Sequence, residues 1–202
     1  TGGLPNTENI EFGADLVTSS WDVLSGDAKP AETALVYDDN SSHPALAAAE
    51  MLAEGGAQVE IVSPERFFAV DIGGLNHAAY AEVFHRHSVR ITISTRLVGV
   101  RRDGNKLVAT LGSDYGPGRT ERRVDQVIVE NGTLPLADLY EALRPGSVNL
   151  GEVDHKALIA GTPQSLETNP EGRYRLFRIG DAVTSRNIHA AIYDALRLAK
   201  DV

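Results

Sequence analysis

Apolar positions show no sustained period through residues 1–31, where Pro5, Gly13, Gly26 and Pro30 punctuate an irregular, turn-rich stretch. From Thr33 the pattern sharpens. Thr33-Ala34-Leu35-Val36-Tyr37 is a short apolar run, suited to a parallel strand buried on both faces. Pro44 suits a first helical position, Ala45 to Glu54 is rich in good helix formers, and Gly55-Gly56 closes the segment, so a helix is predicted there. Val59-Glu60-Ile61-Val62 supplies the next strand. Together these make a β-α-β unit whose crossover should be right-handed.

The same reading predicts a helix around Asn76 to His87 and a strand from Val89 to Ser94. Leu97 to Arg102 and Leu107 to Leu111 flank Asp103-Gly104-Asn105, a hairpin signal. Val124 to Glu130 is a further strand, ending in Asn131-Gly132. Residues 32–130 therefore read as an α/β, Rossmann-like β-α-β-α-β unit with an inserted antiparallel hairpin. Beyond them come a short helix near Leu136 to Leu143, a strand at Tyr174 to Ile179, the dipeptide Gly180-Asp181, and a helix from about Asn187 to Lys200. The opening Thr1-Gly2-Gly3-Leu4-Pro5 reads as the turn after a strand, which predicts a piece cut from a longer polypeptide.

Composition narrows the function classes. At 202 residues the chain suits one large domain or two small ones. Its formal net charge of −9 argues against a nucleic-acid partner, which rewards clustered Lys and Arg. Arg101, Arg102, Arg119, Arg122 and Arg123 are local exceptions among turn residues and read as solvated surface. No apolar run approaches the ~20 residues of a membrane span, and no basic-then-apolar leader opens the chain, so a cytoplasmic location is expected. The absence of cysteine excludes disulfides, thiolate chemistry and cysteine-ligated metal within these residues.

Two places carry candidate chemistry. The first is the predicted turn Asp38-Asp39-Asn40-Ser41-Ser42-His43-Pro44, at a junction where dinucleotide sites place glycines so that backbone can approach a pyrophosphate. It has no glycine, and its two carboxylates would repel a pyrophosphate by ~4 kcal/mol per charge pair at 4 Å and an effective dielectric near 20. NADH binding is thereby disfavoured. After the second strand, Ser63 stands where an acid for the ribose hydroxyls is expected; Arg66 could meet a phosphate, although a capped turn through Ser63-Pro64-Glu65-Arg66 is the simpler reading. Paired acids after a strand also suit a phosphoacceptor receiver domain, but Ile91 to Thr95 ends without its Asp and Val127 to Glu130 without its Lys. A calcium loop from Asp39 would put His43 and Pro44 where its glycine belongs. His85 and His87 point to different helix faces, and no His, acid and nucleophile combine, so neither a metal site nor a catalytic residue is identified. The second place is Phe177-Arg178-Ile179-Gly180-Asp181-Ala182, where a strand ends in Gly-Asp before a helix rich in Ala, Ile and Leu.

Thr1-Gly2-Gly3-x-Pro5, Val36-Tyr37-Asp38-Asp39, Glu130-Asn131-Gly132-Thr133-Leu134-Pro135, Phe177 to Ala182 and Arg186 to Ala195 together resemble the C-terminal part of the NADH:flavin oxidoreductases. These are Old Yellow Enzyme relatives that include trimethylamine dehydrogenase, 2,4-dienoyl-CoA reductase and N-methylproline demethylase-like proteins. The resemblance covers essentially the whole chain. It implies an upstream barrel with FMN and a 4Fe-4S cluster, then an FAD-like domain with an NAD-like domain inserted. Residues 1–31 and 131–202 would be the partial FAD-like domain and residues 32–130 the insertion. Gly2, Gly3, Gly180, Asp181 and Ile188 would bind FAD or ADP at a site completed upstream, while Asp38, Asp39, Asn40, Ser41, Ser63 and Arg66 would mark a degenerate nucleotide loop. The whole enzyme would act on an amine or an activated alkene, with this part non-catalytic and the barrel as its partner. A structural or assembly module that binds no nucleotide is the alternative.

Overall fold

The computed structural model describes residues 2–199. In chain order its elements are β1 (Gly3–Pro5), β2 (Thr18–Ser19), α1 (Ser20–Ser25), β3 (Thr33–Asp38), α2 (His43–Glu54), β4 (Gln58–Val62), α3 (Gly74–Arg86), β5 (Arg90–Thr92), β6 (Arg96–Asp103), β7 (Lys106–Ser113), β8 (Gly116–Val124) and β9 (Gln126–Glu130). Then follow β10 (Thr133–Pro135), α4 (Asp138–Leu143), α5 (His155–Ala160) and α6 (Ile188–Ala199). They form two compact units, Pro5–Gly132 and Thr1–Leu4 with Thr133–Val202.

In the Pro5–Gly132 unit a parallel sheet has the order β2-β9-β3-β4-β5, and an antiparallel sheet has the order β6-β7-β8. The period-2 alternation of strand side chains decides what lies on each face. Ala34, Val36, Val59, Ile61 and Ile128 pack with Leu46, Ala49, Leu52 and Phe84 of the helices. Leu35, Tyr37, Val62, Val127 and Val129 pack with Val100, Leu107, Ala109 and Leu111 of the antiparallel sheet. A strand covered on both faces has no polar side, and this is why β3 and β9 read as continuous apolar runs. The layers are helices, parallel sheet, antiparallel sheet.

Three features correct the sequence reading of this unit. Residues 5–31, grouped on the sequence with 131–202, pack here instead: β2 pairs with β9, and α1 starts with a capping box in which Ser19 and Asp22 exchange hydrogen bonds. Strand β8 was not expected. It contains Gly116, Pro117 and Gly118 and a run of charges with Val124 its only buried residue, a composition that an exposed edge strand tolerates. The expected hairpin is accordingly the first two strands of a three-stranded sheet. Arg122 of β8, expected on solvated surface, is half-buried and donates to Glu60 of β4 at 2.7 Å.

The other unit holds the β1–β10 ribbon and the short helices α4 and α5, with α6. Gly3 to Pro5, read as a turn, is a strand; Thr1 lies outside the described residues. Tyr174 to Ile179, read as a strand, pairs only through a single bridge from Tyr174 to Ser147. The side chain of Asn149 holds it instead, accepting from Leu176 N at 2.9 Å and donating to Leu176 O at 2.8 Å. An apolar run becomes a ladder only where a neighbouring strand offers its backbone, and there an amide side chain serves in its place. The final helix is described from Ile188 to Ala199; Lys200, in its expected range, lies outside the described residues.

Candidate functional site

The chain leaves β3 towards β4 and β5 and returns on its other side as β9. The strand order therefore reverses between β3 and β9, and open α/β sheets bind ligands beyond the carboxyl ends of the strands at such a point. Here those ends carry Asp38 and Glu130, direct partners in the parallel register. Both are buried, at 2% and 3% exposure. Asp38 Oδ1 accepts from the backbone amides of Asn40 at 3.1 Å and Ser41 at 2.8 Å. Asp39 N donates to the carbonyl of Glu130 at 2.9 Å. Glu130 accepts from the Ser20 hydroxyl, from Asn40 Nδ2 at 3.1 Å and from Gly132 N at 3.1 Å. Ser41 takes the left-handed conformation, φ 53°, that this wrapping requires.

Burial raises the carboxyl pKa of Asp38 to about 6 against its two backbone hydrogen bonds, and the neighbouring Glu130 and Asp39 charges add to the rise. Burial also raises Glu130 above the ordinary glutamate range, opposed by its hydrogen bonds from Ser20, Gly132 and Asn40. Asp39 is raised by burial too, with Arg96 opposing at 3.9 Å. Asp38, Asp39, Asn40 and Ser41 thus lie together in one turn, and Glu130 and Ser20 complete the cluster. The candidate list from sequence had neither. The signal for Glu130 was available, because two strands ending in acids side by side share one crevice. Ser63 caps its own turn, accepting from Glu65 N at 3.2 Å, and Arg66 is exposed.

In the other unit Gly180 to Ala182 forms a single 3-10 turn after Ile179. Gly180 is buried at φ 60°, and a Cβ there would meet the Ala191 Cβ of α6 at 3.1 Å. Its amide donates to Asp194 Oδ2 at 3.2 Å. Asp194, 7% exposed, also accepts from the guanidinium of Arg186 and lies 3.5 Å from that of Arg197. The Arg186 hydrogen bond comes first among the causes that hold the Asp194 carboxyl below its usual range. Asp181 Oδ1 accepts from Arg186 N at 3.3 Å, and Asn187 Oδ1 caps α6 through Ala190 N at 3.0 Å. Gly2 takes φ 104° and its carbonyl accepts from Leu136 N at 2.9 Å. It lines a cavity of about 190 Å³ with Ile179 and Ala182, the residues flanking Gly180-Asp181. Gly3 packs against Thr133, whose Cβ would lie 2.6 Å from an added Cβ. Ile188, 71% exposed, opens α6 on the solvent side.

Asp194, Arg186 and Arg197 are the functional candidates that sequence reasoning missed. Their signal was an acid inside the apolar run of the last helix with arginines on either side of it. Replacing Asp194 by asparagine is expected to destabilise this unit by about 1–2 kcal/mol, because two part-exposed guanidinium groups lose their shared charge and one backbone amide its strong acceptor. Urea unfolding of the variant checks this, and an unchanged midpoint would refute it.

No family model matches the sequence. Over 202 residues, 100% of this chain and 30% of the relative, it is 52% identical to the probable N-methylproline demethylase of Rhizobium meliloti (strain 1021). Over 212 aligned residues, again 100% of this chain and 30% of the relative, it is 41% identical to the N,N-dimethylglycine/sarcosine dehydrogenase of Chromohalobacter salexigens. The chain thus spans about 30% of the length of these relatives. It superposes on the 6-hydroxypseudooxynicotine amine oxidase of Pseudomonas geniculata N1 with a TM-score of 0.72 at 20% identity, covering 100% of this chain and 28% of that one. That likeness shows the fold.

Proposed function

The chain belongs to the NADH:flavin oxidoreductase family of Old Yellow Enzyme relatives, and from that membership we propose that it forms the ADP- or FAD-binding part of an enzyme oxidising N-methylated amines. The observation that carries the reading is the fixed Gly180-Asp181 turn. Its backbone is held at φ 60° by Asp194, and Asp181 stands at the amino end of α6 with a carboxylate that uses Oδ1 on Arg186 N. An acid so placed suits the hydroxyls of a ribose or ribityl chain, and the helix end beside it carries partial positive charge suited to a diphosphate. Gly180, Asp181 and Ile188 would hold the nucleotide there, with Gly2 and Gly3 on the adjoining ribbon.

The relatives matched over the whole chain are named for N-methylproline and for N,N-dimethylglycine or sarcosine. All three are N-methyl amino acids. A further relative, 35% identical over 98% of this chain, is named for both alkene reduction and demethylation, so an amine substrate is the chemistry that all these names share. FMN, when bound by other parts of the enzyme, supplies the hydride acceptor. A chain without cysteine cannot ligate the 4Fe-4S cluster, so that group too would be held outside these residues. What these residues contribute is binding and orientation, without a catalytic group.

Calorimetric titration of the 202-residue chain with ADP, FAD and NADH tests the proposal. ADP or FAD is expected to bind, and Asp181→Ala to weaken that binding about tenfold or more through the lost charge-assisted hydrogen bond. No NADH oxidation is expected. Absence of heat with all three nucleotides would support a purely structural module instead, and NADH turnover by the chain would overturn the assignment.

A further inference from the structure

The Pro5–Gly132 unit has the layers and the strand-order reversal of a dinucleotide-binding domain, with a helix starting directly after its central strand. In such a site the turn after that strand turns its backbone amides towards the ligand phosphates. At the β3–α2 turn three successive amides, those of Asp39, Asn40 and Ser41, are already engaged. Asp39 N donates to the Glu130 carbonyl at 2.9 Å, and Asn40 N and Ser41 N donate to one oxygen of Asp38 at 3.1 and 2.8 Å. The Asp38 side chain is not loose in this arrangement: it is 2% exposed and lies beneath the turn that wraps it. A carboxylate is an anion with the acceptor geometry of a phosphate oxygen, and it is tethered to the strand that presents it. Its effective concentration at the turn is therefore far above that of any free nucleotide.

We propose that Asp38 is the residue that decides nucleotide selectivity in this unit, its carboxylate acting as an internal stand-in for phosphate that occupies the Asn40 and Ser41 amides of the β3–α2 turn and shuts out a pyrophosphate. Exclusion here has two parts. The Asn40 and Ser41 amides, engaged by Asp38, are withdrawn from a ligand phosphate, and the buried charges of Asp38 and Glu130 repel it. The nearby Asn40 side chain strengthens the closure, since it bridges Glu130 Oε1 at 3.1 Å and the Ser42 hydroxyl at 2.9 Å and so ties the turn to β9. Occupancy is the decisive part, because an uncharged residue of the same shape would still fill the turn. This inference concerns a different unit from the proposed Gly180-Asp181 site and stands or falls separately from it.

The test is residue-resolved amide NMR of the 202-residue chain titrated with ADP, in wild type, Asp38→Asn and Asp38→Ala. The Asn40 and Ser41 amide signals report on this turn, whereas the Gly180 and Asp181 amides report on the other unit, so the two sites are read apart. In wild type and in Asp38→Asn, which keeps an acceptor oxygen, ADP is expected to leave the Asn40 and Ser41 signals unmoved. In Asp38→Ala they are expected to shift, with binding there at least about tenfold tighter than in wild type. Movement of those signals in wild type, equal binding by Asp38→Asn and Asp38→Ala, or a folded Asp38→Ala that does not respond would overturn the proposal. Hydrogen exchange in the wild-type chain decides the matter if Asp38→Ala does not fold. Slow exchange at Asn40 and Ser41 supports an occupied turn, and exchange at the rate of open loops refutes it.

Discussion

Replacing Gly13 by alanine is expected to cost the Pro5–Gly132 unit roughly 3–5 kcal/mol, enough to lower its melting temperature by about 10 °C or more. Gly13 sits at φ 78°, where a Cβ is strained in any surroundings. Here the added atom would also lie 1.8 Å from the carbonyl oxygen of Val100, inside any tolerable contact. Neither partner can easily yield. Glu11 N donates to Val98 O at 2.8 Å and Val100 N to Phe12 O at 3.0 Å, so the segment before β2 is laced to β6 along the contact. Phe12 adds to the constraint, lying over Gly99 where a Cβ would come within 2.6 Å of its ring. Gly26→Ala is the control. Gly26 has φ 84° but nothing within 4 Å of its added Cβ, so it reports the backbone cost alone, about 1 kcal/mol. Thermal or urea unfolding of the two variants separates strain from collision, and equal losses would show that the Gly13 contact relaxes freely.

The same glycine shows why the first thirty residues were opaque in the sequence. Their structure depends on partners far along the chain, β6 for Glu11 to Gly13 and β9 for Thr18-Ser19, and no local period announces such pairing. Strands β3, β4 and β9 were legible because burial on both faces leaves a continuous apolar run. Strand β8 was not, because an exposed edge carries its stability in backbone bonds to β7 and spends its side chains on partnerships with Glu60, Arg101 and Asp103 or on water. The failed strand at Tyr174 to Ile179 is the converse case: apolar side chains without a ladder beside them. Of the candidate sites, the acids of the β3–α2 turn and the Gly180-Asp181 turn could be read directly. Glu130 and Asp194, which complete them, required knowing that β9 lies beside β3 and that α6 folds back over Gly180.

The buried acids of the β3–α2 turn should make stability rise as the solution is acidified from pH 8 to pH 5, opposite to the behaviour of a domain held by salt bridges. Asp38 has a folded-state pKa of about 6 against 3.8 in the unfolded chain. Between these values the folded state binds the proton that the unfolded state releases, so the slope of unfolding free energy with pH is negative in that window. Above about pH 6 the full cost of the buried charge is felt, about 3 kcal/mol for a shift of this size. Below about pH 4 Asp38 is neutral in both states and the cost vanishes. Glu130, also raised by burial, acts with the same sign from its ordinary value upwards. Among the described residues no cation contributes to either shift: besides Glu130, the charge acting on Asp38 is that of Asp39. Asp194 and Asp125, both lowered, pull in the opposite direction only once the pH falls through the ordinary carboxylate range and below. Asp38→Asn keeps an acceptor for the Asn40 and Ser41 amides while removing the charge. It should therefore raise stability by about 2–3 kcal/mol at pH 8, match wild type near pH 4, and flatten the curve between. Urea unfolding at pH 4, 6 and 8 measures this, with a carboxyl-carbon NMR titration reading Asp38 directly. A wild-type stability that climbs from pH 5 to pH 8, or an Asp38→Asn variant weaker at pH 8, would mean that the turn stabilises the carboxylate more than burial penalises it.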